Sequence, residues 1–240
     1  MTLLSVNVNK IATLRNSRGG NVPNLINVVK DCERFGAQGI TVHPRPDERH
    51  IKYQDVRDLK PILSTEFNIE GYPSDGFIEL VNQNKPTQVT LVPDPPDALT
   101  SSFGWDCEKN KDFLMEVIKR LKDNNIRVSI FINPSIKTLS NLENIKPDRV
   151  ELYTYDYAKN YQNDKILAVA PYNEVTKYLE KEFPNIELNA GHDLNLDNLD
   201  FILKNIPRIK EVSIGHALVC DAFDFGLKET VNKYKQITQR

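Results

Sequence analysis

Cysteine is scarce in this sequence: 240 residues contain only Cys32, Cys107 and Cys220. They are widely spaced, odd in number and never arranged as CxxC. A disulfide framework has no footing, and reduced thiols in a cytoplasmic protein are expected. Long apolar runs are missing too. None approaches the roughly 20 residues that a membrane span needs. Residues 1–8 carry an apolar patch without a basic stretch before it or a long apolar centre. They are expected to form a first β-strand and not a signal peptide. Charge of one sign is lacking, with a formal net charge of −2. That supplies no basic field and argues against nucleic-acid binding. There is no GxGxxG and no Walker A turn, as an open nucleotide-binding sheet would usually show. HExxH is absent. The His-x-His pair that many metal barrels carry after their first strand is replaced by Asn7-Val8-Asn9, so no catalytic metal is expected.

What remains is an ordinary globular composition, 40% hydrophobic and 27% charged. Short β-branched runs occur at 3–8, 39–42, 66–69, 88–92, 127–132, 149–153, 186–189 and 211–214. Several lack clean polar alternation, which fits parallel strands covered on their outer face by helices. Helical periodicity is clear over 24–35, 108–122, 172–183 and 226–238, and weaker over 54–63, 74–84, 136–143 and 196–205. Eight βα units in a chain of this length, with no nucleotide turn, predict an α/β fold: a closed (β/α)₈ TIM barrel forming a single domain over 1–240. The segment 93–105 reads as a long loop after strand 4. Its Pro and Ser content suggests a lid, with Trp105 as the only tryptophan to report on it.

The catalytic face of such a barrel is the C-terminal end of its strands. The four histidines, His43, His50, His192 and His216, are all expected there, and none on a helix. Glu70 closes strand 3 next to His43, a pairing suited to general acid–base work. Glu151 lies within strand 6, where an inward carboxylate must be paired or functional. Facing the helix layer is its other possibility. The loops after strands 7 and 8 read Ala190-Gly191-His192 and Gly215-His216-Ala217. Their small residues let backbone N–H groups approach an anion, so a phosphate site is expected between them. Arg18, Arg45 and Arg49 add cations in the first two loops. The expected partners are small phosphorylated substrates, with no nucleic acid and no membrane.

The segments NVNKIATLRNSRGG at 7–20, FGAQGITVHPRPDERHI at 35–51, FNIEG at 67–71, LVPDPP at 91–96, VSIFIN at 128–133, LNAGHDL at 188–194 and SIGHAL at 213–218 resemble the pyridoxine 5′-phosphate synthase family. They span nearly the whole chain in that family's order. The resemblance implies condensation of 1-deoxy-D-xylulose 5-phosphate with 3-amino-2-oxopropyl phosphate. The products are pyridoxine 5′-phosphate, inorganic phosphate and water, and no cofactor is used. It assigns His43 and Glu70 as acid–base residues, His192 as proton donor and Glu151 as a transition-state stabiliser. Arg45, His50 and Thr100 would hold the pentulose phosphate. Asn7, Arg18, Asp193, Gly215 and His216 would hold the aminoketone phosphate. Asn9-Lys10 replaces the family's Asp-His, and Asp193 replaces its Gly. Both remain candidate substrate contacts, since Asn9 keeps an acceptor and Lys10 a donor. The resemblance also implies a homo-oligomer, an octamer in that family. The competing readings are another phosphate-binding barrel lyase or isomerase, and a non-catalytic barrel that binds phosphometabolites.

Overall fold

Side chains alternate along a strand, so each sheet residue faces either the barrel axis or the helices. The computed structural model describes residues 1–94, 98 and 101–240. Its strands are β1 (Leu3–Asn7), β2 (Gly39–Val42), β3 (Glu66–Gly71), β4 (Gln88–Leu91), β5 (Arg127–Ile132), β6 (Arg149–Tyr153), β7 (Glu187–Gly191) and β8 (Ile209–Ile214). They pair in parallel in chain order, and β8 closes on β1. The (β/α)₈ barrel expected from the sequence is present.

The main apolar core lies between the strands and the surrounding helices. Val6, Ile40, Ile69, Val89, Ile130 and Leu152 are buried there against the helical layer. Each such side chain contributes roughly 1.5–3 kcal/mol relative to exposure. The barrel interior differs from the branched aliphatic layers usual in this fold. Ser5 and Thr41 hydroxyls meet at 2.7 Å, Asn68 donates to Thr41, and Thr90 donates to Asn68 and to Glu151. Nearer the N-terminal end, Arg149 donates to Gln88, Glu187 and Glu211, while Arg127 pairs with Glu66 and Gln88. Val92, Phe131 and Tyr153 form a small apolar patch of their own. Several strands lack clean polar alternation, as β2 (GITV) does, but four others show it. EFNIEG, QVTL, RVSI and RVEL alternate, and their polar positions point to the axis.

Helix boundaries follow local chemistry. Asn24 caps Leu25–Phe35 by accepting from the Asn27 amide at 2.9 Å. The helix expected over 172–183 starts earlier, at Lys165, because Asp164 accepts from the Ile166 and Leu167 amides, and Pro171 sits inside it. The helix expected over 136–143 is split into a 3₁₀ turn, Ile136–Leu139, and Leu142–Ile145, with Asn141 between them at φ 68°. Three further helices had no strong periodicity to announce them: Asn9–Asn16, Tyr155–Asn160 and His216–Phe225. His216 opens the last of these, which corrects the expectation that no histidine lies on a helix. Among the described residues no helix is long and apolar enough to cross a membrane.

Candidate active site

The C-terminal ends of the strands open into a cleft of about 930 Å³. Strand register brings the chemistry-bearing residues into it. Asn7 ends β1, His43 follows β2, Glu70 is the penultimate residue of β3, Glu151 rises from β6 and His192 follows β7. His43 Nδ1 lies 3.9 Å from Glu70 Oε2, close enough for proton exchange after a small shift but too long for a hydrogen bond. Burial pushes the His43 imidazolium well down from its ordinary range, and Arg45, His50 and Arg49 push the same way. Burial pushes the Glu70 carboxyl up, helped by Asp94 and Glu211. Both groups are driven toward their neutral forms, so the contact is one between a neutral imidazole and a carboxyl and not an ion pair. Glu151 is also held well up, by burial first and then by Glu70 and Glu211. It points inward, which settles its alternative of facing the helices.

Two asparagines set His43. Asn9 Oδ1 accepts from the His43 backbone amide at 2.9 Å, and Asn7 Oδ1 accepts from the Asn9 amide at 3.0 Å. Asn9 thus spends its acceptor on the neighbouring loop, while Lys10 lines the cleft. His50 Nδ1 accepts from the Ile51 amide at 2.9 Å, so its neutral ring carries the proton on Nε2. Burial, with Arg45 and Arg49 nearby, lowers its pKa to about 4. The His50 loop is propped from below by Arg15, which pairs with Asp55 at 2.6 Å and reaches the His50 carbonyl. Arg45 is buried and donates to Asp94 Oδ2 at 2.7 Å, and the Ser101 hydroxyl donates to the same oxygen. Arg49 is held by Asp47 and the Ala98 carbonyl. Arg18 is exposed and is not among the residues that line the cleft. Thr100 lies outside the described residues.

Glycines at the rim serve close approaches. A Cβ on Gly191 would stand 2.4 Å from Glu151 Oε1, so that glycine gives the carboxylate its room. A Cβ on Gly215 would stand 3.1 Å from the Asn7 side chain. Gly215 precedes helix His216–Phe225, whose first-turn amides have no acceptor within the helix, and Gly215, His216 and Ala217 line the cleft. After Gly191 the backbone enters the left-handed region twice, with φ 87° at His192 and 58° at Asp193. Thr154 Oγ1 donates to the carbonyls of Gly191 and His192, and Asn198 Nδ2 donates to that of Asp193. His192 Nδ1 and Asp193 Oδ2 are 2.6 Å apart.

Tyr153, Tyr155 and Lys159 also belong to this region and were not anticipated. Tyr155 and Lys159 line the cleft. The Tyr153 and Tyr155 rings stack on one another and both meet the His192 ring edge-on, Tyr153 at 4.9 Å. The rule that singled out the histidines, position just after a strand end, applies equally to YTYDYAK after β6. The lid expected over 93–105 falls partly on residues outside the described set. Its far end is fixed: Trp105 is 3% exposed, donates from Nε1 to the Leu91 carbonyl and packs against Tyr72 and Phe113.

Comparison with known proteins follows the same lines. Residues 4–240 match the family model described as pyridoxal phosphate biosynthesis protein PdxJ. Pyridoxine 5′-phosphate synthase of Parabacteroides distasonis is 57% identical over 235 residues, covering 98% of each chain. That of Christiangramia forsetii is 52% identical over 237 residues, covering 99% of each. Among solved structures, a phosphoribosylanthranilate isomerase from Thermotoga maritima superposes with a TM-score of 0.62 at 12% identity, covering 100% of this chain and 99% of the other. At that identity the likeness shows the barrel fold alone.

Proposed function

As the chain belongs to the PdxJ family of pyridoxine 5′-phosphate synthases, we propose that its rim cleft joins 1-deoxy-D-xylulose 5-phosphate to 3-amino-2-oxopropyl phosphate, releasing pyridoxine 5′-phosphate, inorganic phosphate and water. The observation that carries the residue roles is the His43–Glu70 pair, two titratable groups 3.9 Å apart and both driven toward neutrality. A condensation of this kind moves protons at carbon, nitrogen and oxygen and needs groups that both take and give them. His43 is neutral and available as a base. Glu70 exchanges a proton beside it, and His192 donates to the leaving oxygen. Glu151, protonated by its burial, hydrogen-bonds to charge developing on the substrate.

Two anions must be held close together for the proximity gain. Arg45, His50, Asn9 and Lys10 suit the pentulose phosphate. The first turn of helix His216–Phe225, with Asn7 and the 191–193 backbone, suits the aminoketone phosphate. Free cysteines at all three positions fit a cytoplasmic setting. Exposed Phe223 and Phe225, on the helix that ends beside Gly226, offer apolar surface for the homo-oligomer.

Mass spectrometry of the mixture tests the reading. Pyridoxine 5′-phosphate should form only when enzyme and both phosphorylated substrates are present. No product mass, or turnover of one substrate alone, refutes it. A second expectation concerns Gly191→Ala. The added methyl must push the Glu151 carboxyl aside, and misplacement by about 1 Å costs roughly 10²-fold in rate. Steady-state kinetics with a thermal melt should show that loss in a folded protein. Parental turnover would mean that the Glu151 position is immaterial.

A further inference from the structure

We propose that Asp193 is a positioning residue for His192: its carboxylate fixes the imidazole tautomer, so that the proton exchanged with substrate is the one on Nε2. The inference rests on the condensation proposed above, and it concerns a residue type that stands where the resembled family commonly has glycine.

The geometry is specific. Asp193 Oδ2 lies 2.6 Å from His192 Nδ1. An ionised carboxylate can only accept, so the ring nitrogen that faces it must carry a hydrogen. The hydrogen bond from His192 holds the Asp193 carboxyl below the usual carboxylate range, which keeps it ionised. With Nδ1 thus occupied, the acid–base chemistry of the ring is directed to its other nitrogen. An adjacent carboxylate also stabilises the imidazolium that forms when the ring takes a proton.

The surrounding structure is built to hold this contact. Consecutive residues in the left-handed region are costly for side-chain-bearing residues. Asp and His are among the types that tolerate it best. The Thr154 amide, its one hydroxyl proton and the Asn198 side-chain amide fasten the carbonyls of 191–193. The rings of Tyr153 and Tyr155 close on the imidazole edge-on. A loop whose sole task was to present backbone N–H groups to a phosphate would be better served by glycine at 193. The carboxylate also sets a negative charge near that phosphate. Its retention there is explained by the contact with His192.

The test uses Asp193→Gly and Asp193→Asn in the full chain. Glycine removes the acceptor yet suits φ 58° better, so the thermal midpoint should hold or rise. With only four histidines in the chain, nitrogen-15 NMR of the imidazoles resolves the tautomer in the substrate-free protein. The parent should show His192 protonated on Nδ1, and Asp193→Gly should lose that signature. Its kcat should fall by roughly 10- to 100-fold, as for other residues that orient a functional histidine, with KM little changed. Asp193→Asn keeps an acceptor oxygen and should recover part of the rate. An unchanged tautomer in Asp193→Gly, or parental or faster turnover, overturns the proposal. If the parent itself makes no pyridoxine 5′-phosphate, the functional reading fails while the NMR result still decides whether Asp193 sets the tautomer.

Discussion

Glu70→Gln should leave the barrel folded and reduce kcat by roughly 10²–10⁴-fold, the range of a general acid–base group. The amide has the size and shape of the protonated carboxyl, so the cleft keeps its form. It cannot take up or release a proton at the substrate. The same burial that makes Glu70 useful makes it costly, and this gives the variant a second signature. In the folded protein the carboxyl binds its proton more tightly than in the unfolded chain, since burial and the neighbouring Asp94 and Glu211 raise its pKa from 4.5. The folded state therefore holds more protons between 4.5 and the raised value of about 8. By linkage, the stability this group contributes falls as pH rises through that window. Glutamine does not titrate. The thermal midpoint of Glu70→Gln should match the parent near about pH 5 and exceed it increasingly toward about pH 8. Near-parental turnover would remove Glu70 from the mechanism. A variant melting well below the parent at about pH 8 would show that the ionised carboxylate is stabilised and the burial argument mistaken.

The strands were legible in the sequence because eight β-branched runs recur at βα spacing. β2, β5 and β6 fall where that pattern puts them. The strand ends in turn located His43, Glu70 and His192, since position after a barrel strand is enough to place a side chain at the rim. The rest depended on contacts across the fold. Glu151 stands inside a strand, and either face was open to it until the register set it opposite Asn189, with Thr90 within reach. Asn9 read as a weakened substrate contact, yet its oxygen is bonded to the His43 amide, 34 residues away in sequence. Asp193 read as a phosphate contact standing where the resembled family has glycine. Its bond to the adjacent His192 depends on two left-handed φ angles that no periodicity reports. Tyr155 and Lys159 sit on a six-residue helix, too short to leave a hydrophobic stripe. Arg18, by contrast, looked well placed in the sequence and lies exposed on the turn after helix Asn9–Asn16.

The polar barrel interior predicts where stability is most vulnerable. Arg149 is buried among acceptors, with Glu211 Oε2 at 2.8 Å, Glu187 Oε2 at 2.8 Å and Gln88 Oε1 at 3.0 Å. Arg149→Leu removes the cation and leaves Glu211, itself 3% exposed, without its closest counter-charge. Breaking a buried pair from one side costs about 3–5 kcal/mol. For a chain of this size that corresponds to a drop of roughly 6–20 °C in thermal midpoint. The penalty should depend on pH with a definite sign. Burial already raises the Glu211 pKa to about 7, and Arg149 is the largest influence holding it down. Without Arg149 the folded-state value climbs further above the unfolded 4.5, so the folded protein keeps its excess proton to higher pH. Stability then goes on falling through pH values at which the parent has levelled off. The deficit of Arg149→Leu should therefore be smaller near about pH 6 than near about pH 8. Glu211→Leu added to Arg149→Leu should restore much of the loss, because replacing both partners of a buried pair by apolar groups removes the stranded charge. A single variant that melts within a degree or two of the parent at both pH values would show that the Arg149 network contributes nothing to folding. A double variant no better than the single would place the cost in lost packing and not in the unpaired carboxylate.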